Sequence, residues 1–87
     1  MRAVHDKIEG PFAIKEDIAL YGMVAGDATL HRGIRFILHD TIAGNLTIET
    51  GARAIVHGTV AGRIYNEGGR VEIFGIADAA AHVRGRP

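Results

Sequence analysis

The fold is decided by residues 39–56, HDTIAGNLTIETGARAIV. Moved 18 residues either way, this stretch meets a copy of itself. The block before it, residues 21–38, reads YGMVAGDATLHRGIRFIL, and the block after it, residues 57–74, reads HGTVAGRIYNEGGRVEIF. Ala25, Ala43 and Ala61 coincide, as do Gly26, Gly44 and Gly62, and again Gly33, Gly51 and Gly69. Columns of similar residues run beside them: Val24/Ile42/Val60, Ala28/Leu46/Ile64 and Ile37/Ile55/Ile73. A fixed period of this kind marks units that bury their apolar faces by stacking on one another.

Within each block the apolar residues alternate. Ile42, Leu46 and Ile48 point one way, while Asn45, Thr47 and Glu49 point the other. Period two is a strand signal. A helical reading fails on the recurring glycines, each of which costs about 1 kcal/mol inside a helix. At a rise of about 3.3 Å per residue, a block can circle once through short strands and return above its start, about 4.8 Å higher. An antiparallel sandwich would need Asn-Gly or Asp-Gly turns between paired strands, and the chain has neither. The expectation is an all-β parallel β-solenoid of three full 18-residue coils with a degraded coil at each end.

One domain follows, spanning residues 1–87. It divides into an N-terminal cap or half coil (1–17), the repeat core (18–76) and a C-terminal cap or tail (77–87). Val24, Ile42 and Val60 are expected in the core, with Ile37, Ile55 and Ile73 also inward. The adjacent Leu38/Val56/Phe74 column is then left for a corner or the outside, and Phe74 for an exposed apolar patch. Gly33, Gly51 and Gly69 suit corners of positive φ, and Gly26, Gly44 and Gly62 suit places where coil walls converge. Asn66, the polar residue in the Leu30/Ile48 column, is expected to cap a backbone group at the Glu67-Gly68-Gly69 corner.

Composition narrows the function. Ten Lys and Arg balance ten Asp and Glu, so no excess charge points to nucleic acid. Without Cys or Ser there is neither thiol nor serine nucleophile, and no Cys-held metal. No apolar run reaches the roughly 20 residues of a membrane span, and MRAVHDKIEG has no signal-peptide core. A cytoplasmic address is expected. The threonines of the repeat, Thr41, Thr47, Thr50 and Thr59, read as strand formers. No catalytic residue and no cofactor are expected.

Three groups of side chains stand out as candidate sites. His39 and His57 share a column and, with Asp40 beside them, form a weak metal-ligand set. Ring stacking one coil apart accounts for the pair without metal. Partial burial of both rings would make the stack sensitive to acid. Arg35 and Arg53 share a second column suited to an acidic protein surface, and Glu49, Glu67 and Glu72 supply carboxylates on the walls.

The run IAGNLTIETGARAIVHGTVAGRI, residues 42–64, resembles the bactofilins, and the likeness covers roughly residues 18–76. That resemblance implies a right-handed β-helix that polymerises end to end without nucleotide, with Val24, Ile42 and Val60 as core columns and the terminal coils as assembly surfaces. Small solenoids of this repeat are also similar to immunity proteins that accompany bacterial toxins. Both point to protein as the partner, either a second copy stacked on a coil end or a toxin-like target bound on a wall. The expected partner-binding residues are Phe74, Arg35, Arg53, Glu49, Glu67 and Glu72.

Overall fold

The computed structural model describes residues 1–77 together with the strand His82–Arg84. Its described residues contain strands and turns but no helix, and the strands climb in five rungs. The first rung holds β1 (Arg2–Val4) and β2 (Phe12–Ile14); the second holds β3 (Ile18–Leu20), β4 (Met23–Val24) and β5 (Ala28–Leu30). The third has β6 (Arg35–Leu38), β7 (Thr41–Ile42) and β8 (Leu46–Ile48), and the fourth β9 (Arg53–Val56), β10 (Thr59–Val60) and β11 (Ile64–Asn66). The last has β12 (Arg70–Ile73), β13 (Ile76–Ala77) and β14 (His82–Arg84).

Every neighbouring pair is parallel. Three walls result, ordered β1-β3-β6-β9-β12 (wall A), β4-β7-β10-β13 (wall B) and β2-β5-β8-β11-β14 (wall C). The chain is a parallel β-solenoid of about four turns and about 18 residues per coil. Phe36 pairs with both Ile18 and Ala54, 18 residues away on either side, as the repeat requires.

The ends are built more fully than the repeat alone suggests. Arg2 pairs with Ile18 and Phe12 with Ala28, 16 residues on in each case, and an isolated bridge joins Ile8 to Val24 on wall B. Residues 1–17, expected as a cap or half coil, therefore reach all three walls in a shortened circuit. Of residues 77–87, Ala77 closes β13 and His82–Arg84 pair in parallel with β11; residues 78–81 and 85–87 lie outside the described residues.

Alternation fills the interior. Leu20, Leu38 and Val56 form one fully buried column and Val24, Ile42 and Val60 another. Phe36 sits on Ala54, a large side chain meeting a small one, so that bulk is shared between rungs at constant spacing. Among the described residues no polar or charged residue is buried. Stability rests on apolar burial, about 1.5–3 kcal/mol for each fully buried aliphatic side chain.

Two expectations are overturned: Leu38 and Val56, not Ile37 and Ile55, face inward, and one missing residue resets the register beyond the last corner. The corner Asn66-Glu67-Gly68-Gly69 is one residue shorter than Ile48-Glu49-Thr50-Gly51-Ala52, so Arg70 pairs with Arg53 at a spacing of 17. Beyond that corner the register puts Glu72 on Ile55 and Ile73 on Val56. The inward column is thus Leu38/Val56/Ile73, whereas Ile37 and Ile55 point outward and are half-buried on wall A. The positive-φ corner follows the same shift, running through Gly33 (74°), Gly51 (75°) and Gly68 (115°) instead of Gly69. Gly69 takes the place of Ala52 in a tighter bend, where a Cβ would lie 2.7 Å from the Ala52 carbonyl oxygen. Asn66 holds this short corner as expected: its Oδ1 accepts hydrogen bonds from the Gly68 N–H (3.1 Å) and the Gly69 N–H (2.7 Å).

Candidate functional site

Wall A carries most of the residues singled out in the sequence, because β6, β9 and β12 have four residues each and their first and third positions face outward. Side by side stand three columns. The first is Asp17/Arg35/Arg53/Arg70, the second Ala3/Ala19/Ile37/Ile55/Glu72, and the third, at the corner just past each strand, His5/Tyr21/His39/His57/Phe74. Asp17 Oδ1 accepts from the Arg35 backbone N–H at 2.9 Å, and its other carboxylate oxygen lies 3.9 Å from Arg35 Nε. Arg53 Nη2 donates to Glu72 Oε1 at 3.2 Å. These pairs are well exposed and contribute little to stability. A shallow groove of about 180 Å³ opens over Ile37 and Ile55, bordered by Met1, Arg35 and Arg53.

Arg35, Arg53, Glu72 and Phe74 are therefore brought onto one wall. Glu49 and Glu67 are not. They lie at the corner between walls C and A with Arg32 and Thr50. There Glu49 Oε1 accepts from the Arg32 backbone N–H at 3.1 Å, and the Glu67 carbonyl accepts from Thr50 Oγ1 at 3.0 Å.

The third column is a continuous stack of rings through all five rungs. Centroid separations are 4.9 Å for His5–Tyr21, 4.3 Å for Tyr21–His39, 5.3 Å for His39–His57 and 5.3 Å for His57–Phe74. The sequence pattern yields only the His39–His57 pair. His5 and Phe74 escape it because they lie 16 residues before Tyr21 and 17 after His57, following the shortened first coil and the shortened last corner; Tyr21 keeps the regular spacing of 18 and differs only in its type of ring. Stacking also settles what the two imidazoles can do. Their planes lie 13° apart, so their in-plane lone pairs run nearly parallel and do not converge on one ion about 2 Å from each nitrogen. Among the described residues no group of three His, Cys, Asp or Glu could hold a metal. Both rings are exposed.

The remaining feature is the upper rim. Ile73 is 37% exposed, Phe74 66% and Ile76 71%. Ile73 belongs to a core column, yet among the described residues no strand lies beyond β12 to cover it. The outer edges of β12 and β13 offer their backbone N–H and C=O groups without a strand partner among those residues. Apolar side chains beside an open strand edge are the combination that invites another chain.

Comparison with family models, with curated proteins and with solved structures finds no match. No helix among the described residues is long and apolar enough to cross a membrane.

Proposed function

We propose that this chain is a non-catalytic protein-interaction module that self-associates through its terminal coils, in the manner the bactofilin resemblance implies. The observation that carries this reading is the apolar upper rim of Ile73, Phe74 and Ile76 beside the open edges of β12 and β13. An added strand would satisfy the edge while its side chains cover Val71 and Ile73, so hydrogen bonding and apolar burial favour the same event. Light scattering on a size-exclusion column tests it. The mass is expected to rise with concentration, and Phe74→Asp to return it to a single chain. A wild-type mass fixed at one chain throughout would overturn the reading.

A second reading has its own support in wall A. Ile37 and Ile55 face outward between the arginine column and the rings, a surface suited to a toxin-like target with acidic and apolar groups. Under this reading a partner captured by the protein is lost with Ile55→Glu and retained with Phe74→Asp. Self-association through the rim predicts the converse.

A further inference from the structure

We infer that self-association is polar: the upper rim of one copy seats the lower rim of the next, so that β12 pairs in parallel with β1 and Phe74 stacks on His5 of a second copy. This rests on the self-association proposed above and adds its direction and contacts.

Three observations lead to it. The first is the ring stack. It begins at His5 and ends at Phe74, each with a ring neighbour on one side only among the described residues. Four internal junctions already place such rings 4.3–5.3 Å apart, and a head-to-tail junction repeats that contact a fifth time.

The second is strand length. Walls A, B and C end in strands of four, two and three residues, β12, β13 and β14. A two-fold axis across the solenoid that pairs any one of these with its own copy must exchange the other two. Strands of different walls would then face each other, and the corners, which in the third rung hold two residues (39–40), three (43–45) and four (49–52), would fall out of step. Head-to-tail stacking keeps each wall on its own kind, β12 on β1, β13 on the Ile8 segment and β14 on β2, as every internal junction does.

The third is side-chain register. Continuing the spacing places Val4 over Ile73, Ala3 over Glu72 and His5 over Phe74. Each rung after the first shows the same order of an outward residue, an inward aliphatic and a ring: Ala19-Leu20-Tyr21, Ile37-Leu38-His39, Ile55-Val56-His57 and Glu72-Ile73-Phe74. Residues 3–5, Ala-Val-His, match that order. Arg2 is the departure, since it occupies an inward column but is exposed and paired with Glu16 at 2.8 Å. Its aliphatic stem would lie over Val71 while the guanidinium stays at the margin.

Because the chain has no Cys, cross-linking reads the polarity directly. Ala3 and Glu72 become in-register parallel neighbours across the junction, within the Cα separation of about 4.4–6.8 Å that a disulfide spans. The expected result under mild oxidation is a disulfide dimer when the Ala3→Cys and Glu72→Cys proteins are mixed, none from either alone, and a ladder of multimers from the double variant. His5→Glu should abolish association as fully as Phe74→Asp. Cross-linking by Glu72→Cys alone overturns the polarity, and so does an associating protein that forms no mixed disulfide or is indifferent to His5→Glu. A wild-type protein that stays a single chain overturns the self-association itself along with its direction.

Discussion

Glycine does two different jobs in this chain, and substitution separates them. At Gly51 a φ of 75° forces the corner, yet a Cβ there would meet nothing closer than 3.9 Å. Gly51→Ala strains only the backbone, and a loss of about 1–2 kcal/mol is expected in chemical denaturation. At Gly62 the backbone has ordinary φ, but a Cβ would come 2.7 Å from the Gly44 carbonyl carbon on the rung below. The Gly62 N–H also donates to the Gly44 carbonyl at 3.0 Å, so the two rungs cannot part without losing that bond. Gly62→Ala is expected to cost more than Gly51→Ala, in the range of about 1–3 kcal/mol or above. Equal costs would mean that the close approach between rungs is relieved by a small shift. Asn66→Ala belongs at the same scale: it frees two N–H donors at a half-buried corner, and about 1–2 kcal/mol is expected from the lost pairing. Asn66→Asp keeps the acceptor oxygen and should recover most of it.

At the scale of the element, corners are held by side chains that reach one rung upward. Asp27 Oδ1 accepts from the Asn45 N–H at 2.8 Å, and Asn45 Oδ1 accepts from the Arg63 N–H at 2.8 Å. Asn45→Ala leaves the Arg63 donor unpaired while keeping Asn45's own bond, so a loss of about 0.5–1.5 kcal/mol is expected, with Asn45→Asp nearly neutral. Thermal denaturation of the two variants side by side checks it. The parallel walls were legible because residues 21–66 keep their period without a gap and like residues fall on like. What escaped was length variation at the two ends. One residue lost between Ile48–Arg53 and Asn66–Arg70 displaces Glu72, Ile73 and Phe74 by one position, and strict alternation then turns each to the other face. Phe74 was hidden from the His39–His57 stack by that shift, whereas Tyr21 sits at the regular spacing and differs only in its type of ring; Ile37 and Ile55 looked like core because Leu38 and Val56 beside them are equally apolar. Half of the candidate site was thus visible as residue types, but its assembly on one wall needed the register.

For the whole molecule, an inner rung and the last rung differ in one respect. Leu38 is covered from above and below and is fully buried, whereas Ile73, in the same column, is 37% exposed. Stacked repeats are stabilised mainly by contacts with their neighbours, so the upper rim is the least supported part of the described solenoid. Leu38→Ala should cost about 2–5 kcal/mol at any protein concentration. Ile73→Ala should cost much less in dilute protein, where its outer side faces water. If a second copy covers the rim, folding and association become linked, and the thermal midpoint must rise with protein concentration because only the folded chain presents the rim. Phe74→Asp places a charge on that face and should flatten the dependence, leaving the dilute-limit midpoint close to that of the unsubstituted chain because Phe74 is already 66% exposed. Differential scanning calorimetry across a hundredfold concentration range measures both quantities. At tight binding each tenfold rise in the partner copy adds about 1.4 kcal/mol, a shift that is readily resolved in a domain of this size. A midpoint that stays constant over the whole range would mean that the rim is stable in water as it stands, and the reason for its apolar side chains would then have to be sought in a different partner.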